Sequence, residues 1–265
     1  MVSGHVSAPT QAVAVHVQVD KTGSCSVRRW LQLAQNKTLD TKWLCSWFKE
    51  HDRSECADAD VWIGDRPGPG GNKGVCQASR RPCRHFVTLR EPMSRIVSEY
   101  AYYCLQCRDR GKFCGRQVHT GCGTKTPPSF VAWAKRQANH YTRHFGSMTA
   151  PQQWYDRYLS GFANESKVTK QDVSTALRWL QDERRLVLWT DTLNESGFAT
   201  LARWFNVRRV ADAVSRVPPQ HVNRQAGLRS PSVHWPSASD RQSACALNWA
   251  DCELYRELRG ASCVC

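Results

Sequence analysis

An α/β fold with a mostly parallel central sheet flanked by helices is predicted by three features of this chain. A valine-rich strand pattern (Val13, Val15, Val17, Val19) runs into a polar turn and then a helix-spaced set, Val27, Trp30, Leu31 and Ala34. The same order recurs at Phe86-Val87-Thr88-Leu89, followed by Arg90 and the helical face Met93, Ile96, Val97, Tyr100, Ala101 and Cys104. A third apolar run, 186–189, follows a short amphipathic helix over 172–180. Strands alternating with helices build parallel sheets, with ligands at the carboxyl ends of the strands.

The other elements follow in order. Residues 41–50 read as helix, with Trp43, Leu44, Trp47 and Phe48 apolar. Residues 66–73 are rich in Gly and Pro, predicting an irregular flap. A Cys-rich insert spans about 104–128 and ends at Pro127-Pro128. One helix is expected over 129–145, and in 172–180 Val173, Ala176, Leu177 and Leu180 should point inward. Residues 218–236 read as a polar, basic loop. There is no convincing internal repeat, and a single domain over 1–265 accounts for the pattern.

Each turn gathers donors for a phosphate or sulfate oxygen. In the first, Lys21 brings a mobile charge, Gly23 permits close backbone approach, and Thr22, Ser24 and Ser26 bring hydroxyls. The helix that follows offers unpaired N–H groups at its start. Gly-Lys-Ser/Thr in Walker order is absent, and an ordinary turn with a Ser N-cap has the same look. In the second, Pro92 suits a first helical position, and Arg90 and Ser98 are placed to converge on one phosphate. Arg95 and Glu99, four apart, read as a weak pair on a solvated helix face.

Residues 20–26 resemble the 5′-phosphosulfate loop of sulfotransferases, and 89–100 resemble their 3′-phosphate motif. The nearest likeness is to Golgi carbohydrate sulfotransferases of the heparan sulfate 2-O- and 6-O- kind. Three later stretches resemble the same family: 130–146 with Asn139, Thr142, Arg143 and Phe145; 186–193 followed by Leu201 and Phe205; and 248–255. The resemblance implies a sulfotransferase, P-loop-like fold and 3′-phosphoadenosine 5′-phosphosulfate as donor, with no metal. It implies Lys21 as catalytic lysine, Gly23, Ser24, Cys25 and Ser26 with Thr22 around the 5′ end, and Arg90 and Ser98 on the 3′-phosphate. Arg224 and Arg229, in the basic loop, are phosphate candidates by the same analogy, with plain solvation the alternative. On the acceptor side the candidates are Asn139 and Arg143, in a stretch that resembles the family, together with Trp62 and Arg66.

The acceptor hydroxyl needs a base, and relatives place His or Glu after the second strand. Here Asp65 takes that place, with His51, Glu50 and His85 as rivals and a simple turn role as the alternative. A carboxylate does this work where burial raises its pKa toward neutrality.

Composition bounds the partners. With 41% hydrophobic and 23% charged residues the chain is globular. No run approaches 18 apolar residues and no secretory h-region precedes the first strand. The expectation is a fragment lacking its anchor, or a soluble cytoplasmic relative, with membrane attachment only through an anchor absent from this chain. Lys and Arg number 37 against 23 Asp and Glu, a field that steers anions such as a nucleotide and an acidic glycan. No nucleic-acid-binding motif appears and the cations are spread out, so nucleic acid is not the expected partner. Of 11 tryptophans, Trp30, Trp43, Trp47, Trp133, Trp179 and Trp204 fit a core, while Trp62 and Trp235 are candidates for exposed rings that stack on sugar. Thirteen cysteines and three sequons, at Asn36, Asn164 and Asn194, point to disulfides in a secretory lumen such as the Golgi. The C-x2-C-x6-C-x7-C run at Cys104, Cys107, Cys114 and Cys122 leaves zinc as a weaker reading.

The functional expectation is transfer of a sulfuryl group to a hydroxyl of a glycan. Alternatives are a small-metabolite sulfotransferase, an inactive glycan-binding module, and a nucleotide kinase, which would need the missing Walker loop.

Overall fold

The computed structural model describes residues 12–17, 19, 22, 24–37, 43–46, 58–65, 80–101, 104, 128–146, 167–193, 195–205, 208–215 and 236–265. Val13–Val17 (β1), Leu44–Ser46 (β2), Val61–Asp65 (β3), Cys83–Leu89 (β4) and Arg185–Trp189 (β5) form one sheet in the order β2-β3-β1-β4-β5. Every pairing is parallel. Central parallel strands are covered on both faces, so β1 is buried throughout, including His16.

Helices Ser24–Lys37 (α1), Pro92–Tyr100 (α2), Phe130–Arg136 (α3), His140–Gly146 (α4), Lys170–Leu180 (α5), Glu195–Trp204 (α6), Arg208–Ser215 (α7), Ala238–Leu247 (α8) and Trp249–Arg259 (α9) surround the sheet. Side chains alternate between faces along each strand. Ala14, Phe86 and Leu188 therefore join Trp30, Leu31, Phe198, Leu201 and Val210 on one side, covered by α1, α6 and α7. Val17, Val87, Leu89 and Trp189 meet Tyr141, Phe145, Leu180 and Leu254 on the other, under α4, α5 and α9. Each fully buried large side chain contributes about 1.5–3 kcal/mol.

The helix over 172–180 begins two residues early, on a capping box in which Thr169 and Asp172 satisfy each other's backbone N–H groups. Three expectations need correction. Leu44–Ser46 is strand rather than helix: Leu44 and Cys45 are buried and pair with Val61 and Trp62 of β3. The helix expected over 129–145 is broken between α3 and α4. At the break Asn139 takes φ +54°, and its side chain bonds the chain around α9. Arg95 and Glu99 do not face solvent; both are fully buried and paired at 2.8 Å.

The C-terminal tail after α9 turns at Gly260 in the left-handed conformation and is held by two disulfides, Cys245–Cys265 and Cys252–Cys263. Cys45, Cys83 and Cys104 are also disulfide-bonded. Such bonding fits an oxidising, secretory-type environment, and for Cys104 it replaces the zinc reading. Among the described residues no helix is long and apolar enough to cross a membrane.

Candidate functional site

The two turns expected to bind anions follow neighbouring strands. From β1 the chain moves outward to β2 and returns to β3, whereas β4 lies on the opposite side of β1. That reversal opens a crevice at the carboxyl ends of β1 and β4, the usual ligand position in such sheets. Val17 is level with Val87 on one side and with Asp65 on the other, and Leu89 is level with Trp189. The ends of β1, β3, β4 and β5 thus share one edge.

Threonines tie those ends together. Thr22 Oγ1 donates to Val19 O at 2.8 Å and lies 3.3 Å from Thr88 Oγ1. Thr190 Oγ1, in a 3₁₀ turn after β5, shares its proton between Thr22 O at 2.8 Å and Leu89 O at 2.9 Å. Thr22 and Thr88 are both fully buried. The start of the first turn is therefore fixed directly beside the end of β4.

Arg90 leaves β4 into a cavity of about 250 Å³, lined also by Ser94, Ser98, Arg241, Val264 and Glu91. Its backbone is clamped by one hydroxyl: Arg90 N donates to Tyr141 Oη at 3.1 Å, and Tyr141 Oη donates to Arg90 O at 2.9 Å. Burial lowers the Arg90 pKa, an effect opposed by Tyr141 and Glu91, and at neutral pH the guanidinium stays charged. It has no ion pair among the described residues. Glu91 is committed elsewhere. It is the N-cap of α2, accepting from Met93 N at 3.0 Å and Ser94 N at 2.6 Å, and it also accepts from Val264 N at 3.3 Å. The walls of this pocket thus carry two guanidinium groups and one carboxylate already engaged by N–H donors.

A buried polar network holds Tyr141 in place. Asp251 of α9 accepts from Tyr141 N at 2.9 Å and Thr142 N at 2.8 Å, satisfying buried N–H groups that have no partner within the first turn of α4. Burial raises the Asp251 pKa, while nearby Arg95 and the two backbone N–H groups pull it down. Arg95 also reaches Gln137 O at 3.5 Å and sits 5.3 Å from the Tyr141 ring centre. His140 and His144 are held neutral, far below their usual pKa, by burial first and Arg95 second.

The structure brings Thr22, Arg90 and Ser98 to one edge and places Ser24, Cys25 and Ser26 at the start of α1. Asp65 ends β3 at the same edge. Lys21, Gly23, Arg66, Arg224, Arg229, His51, Glu50 and Trp235 lie outside the described residues. Trp62 is not an exposed stacking ring: it is 2% exposed and packs with Val13, Val15, Cys45 and Ala59. Its partners Val15 on β1 and Cys45 on β2 flank it within the sheet. Asn139 is likewise no acceptor contact. Its Oδ1 accepts from Ala250 N at 3.0 Å, its Nδ2 donates to Leu247 O at 3.1 Å, and its own N–H donates to Asn248 Oδ1 at 2.9 Å. Arg143 is buried and donates from Nε to Ala138 O at 3.1 Å. His85 is no rival base, because it lies near the amino end of β4, about 13 Å of strand from the edge. Burial, then Arg185 and Arg184, lowers its pKa to about 4.

Sequence reasoning passed over Arg241 and Val264. The only signal for Arg241 was its place four residues before Cys245, on the same helix face. No model of a protein family matches this chain, and no curated protein matches it in sequence. Among solved structures, mouse sulfotransferase SULT7A1 complexed with PAP is similar at 11% identity, over 95% of this chain and 85% of that one, with a TM-score of 0.42. Neither the identity nor the score is high enough to assign chemistry.

Proposed function

We propose that this chain is a sulfotransferase that moves a sulfuryl group from 3′-phosphoadenosine 5′-phosphosulfate to a hydroxyl of a glycan acceptor. The observation that carries the reading is the pinning of two anion turns at one switch point, with Thr190 bonded to both Thr22 O and Leu89 O. A nucleotide with phosphate at both its 3′ and 5′ positions offers one anionic end to each turn. Arg90 and Ser98 would hold the 3′-phosphate, and the Lys21–Ser26 turn the 5′ end.

In the reaction an acceptor oxygen attacks sulfur in line, and the bond from sulfur to the bridging phosphate oxygen breaks. Lys21 stabilises the charge that develops on that oxygen. The acceptor proton goes to Asp65, whose place at the end of β3 puts it on the same edge. The products are the sulfate ester and adenosine 3′,5′-bisphosphate. Excess positive charge, 37 basic against 23 acidic residues, favours encounter with both anionic partners. The seven disulfide-bonded cysteines named above support a secretory address, and the Golgi lumen is the compartment that fits a glycan acceptor.

Incubation with labelled donor and a panel of glycans and small alcohols tests this. Transfer to a glycan hydroxyl is expected, abolished by Lys21→Ala in a folded variant and slowed by Asp65→Asn with little loss of nucleotide affinity. Binding of glycans with no nucleotide binding and no turnover would overturn the reading.

A further inference from the structure

We propose that Arg241, on a helix stapled to the C-terminal tail, is a second cation of the 3′-phosphate pocket, and that the tail forms the pocket's outer wall. The inference rests on the nucleotide reading above and adds to it a residue and a segment that the turns alone do not contain.

Arg241 lies in the cavity wall with Arg90 and Ser98, although it comes from α8, far along the chain. Its Nε is buried with no hydrogen-bond partner, and among the described residues its guanidinium has no carboxylate partner. A buried guanidinium nitrogen left unpaired is costly, and an anion is the group that relieves it. Glu91 does not serve, since its oxygens accept from Met93, Ser94 and Val264 N–H groups. The start of α2 is closed by the same carboxylate, so its N–H groups are not on offer to a ligand. Phosphate recognition here falls to side chains, and a dianionic phosphomonoester matches two guanidinium forks better than one.

The tail is what holds this wall. Cys245 sits one turn after Arg241 and is bonded to Cys265, and Cys252 is bonded to Cys263. Val264, between the two bridged residues, lines the cavity and anchors to Glu91 through its N–H. Cys245, Cys252 and Cys263 also pack against the apolar face of α2, the helix that carries Ser98. Opening both bridges removes the covalent hold on that wall while leaving the sheet edge intact.

The test compares binding of adenosine 3′,5′-bisphosphate with adenosine 5′-monophosphate by calorimetry. Arg241→Ala should weaken the bisphosphate by about 10- to 100-fold, the range for a lost charge-assisted hydrogen bond, and leave the monophosphate nearly unchanged. Arg241→Lys should recover part of the loss. A Cys263→Ser/Cys265→Ser variant, checked for folding by circular dichroism, should also shrink the preference for bisphosphate. Equal loss for both nucleotides, or an unchanged preference in Arg241→Ala, overturns the assignment of Arg241. An unchanged preference in the cysteine variant overturns the role of the tail. If the unaltered protein binds neither nucleotide, the functional reading itself fails along with this one.

Discussion

The two sides of the sheet are held by different physics. On the α1–α6–α7 side the contacts are mainly apolar, with Trp30 and Phe198 rings 4.6 Å apart and Phe86 edge-on to Phe205 at 5.6 Å, and His16 is a buried polar exception. On the α2–α4–α9 side Arg95, Glu99, Asn139, Asp251 and two neutral histidines are buried beside the apolar residues. The first side needs hydrophobic volume and tolerates exchange at constant size. The second needs particular donors and acceptors at particular distances, and it reaches the candidate site through Tyr141 and Arg90. Directional bonds define the shape of a binding pocket more narrowly than dispersion contacts do, at the cost of burying polar groups.

Substitutions can break this contrast. The largest effect should come from Glu99→Leu, which leaves the Arg95 charge buried without its carboxylate and costs about 3–5 kcal/mol in chemical denaturation. The double variant Arg95→Met/Glu99→Leu should regain most of it, and a double variant as weak as the single would show that the pair itself stabilises. Leu31→Ala on the apolar side should cost about 2–5 kcal/mol, whereas Leu31→Met should cost less than about 1.5 kcal/mol. Asp251→Asn preserves size as well, but turns an acceptor into a donor facing Tyr141 N or Thr142 N. A loss of about 1–3 kcal/mol is expected, and a neutral result would remove the distinction between the sides.

A smaller, pH-dependent effect sharpens the comparison. His16 is stacked on Phe86 at 4.8 Å, and burial, reinforced by Arg28, lowers its pKa to about 3. In the unfolded chain the group titrates near 6.5. Above that value both states are neutral. As the pH falls from about 6.5 toward 3 the unfolded state binds the proton first, so stability drops. His85, at about 4, acts in the same direction. Melting temperature followed from pH 7 to 4 should fall, and less steeply in His16→Phe.

The apolar side was legible in the sequence because its residues recur at helix spacing: Val27, Trp30, Leu31 and Ala34 are all buried as their periodicity requires. The placement of Arg90 at a strand end and of Ser98 on the helix that Pro92 begins was legible from the apolar run 86–89 and the Pro92 start. What periodicity could not show was burial of charge. Arg95 and Glu99 at i and i+4 look the same whether they face water or the interior, and it is tertiary neighbours such as Gln137 at the α3–α4 break and Tyr141 of α4 that close Arg95 in. Asn139 is an acceptor candidate only through the resemblance of 130–146 to a sulfotransferase helix, and such a resemblance does not show what the side chain bonds. Its use is the start of α9, at a backbone conformation that Asn tolerates better than most residues. Trp62 was misplaced because its run was judged by the turn that follows, whereas β2 and β1 on either side decide its burial. Arg241 depended on tertiary contacts between segments far apart in sequence.

The most direct measurement is calorimetric titration of the intact chain with four ligands: adenosine 3′,5′-bisphosphate, adenosine 5′-monophosphate, adenosine 3′-monophosphate and ATP with magnesium. If one nucleotide spans the turns after β1 and β4, the bisphosphate binds once per chain and more tightly than either monophosphate, which both compete with it, and ATP with magnesium is weaker. Equal affinity for the bisphosphate and a single monophosphate, or preference for ATP with magnesium, would contradict the account.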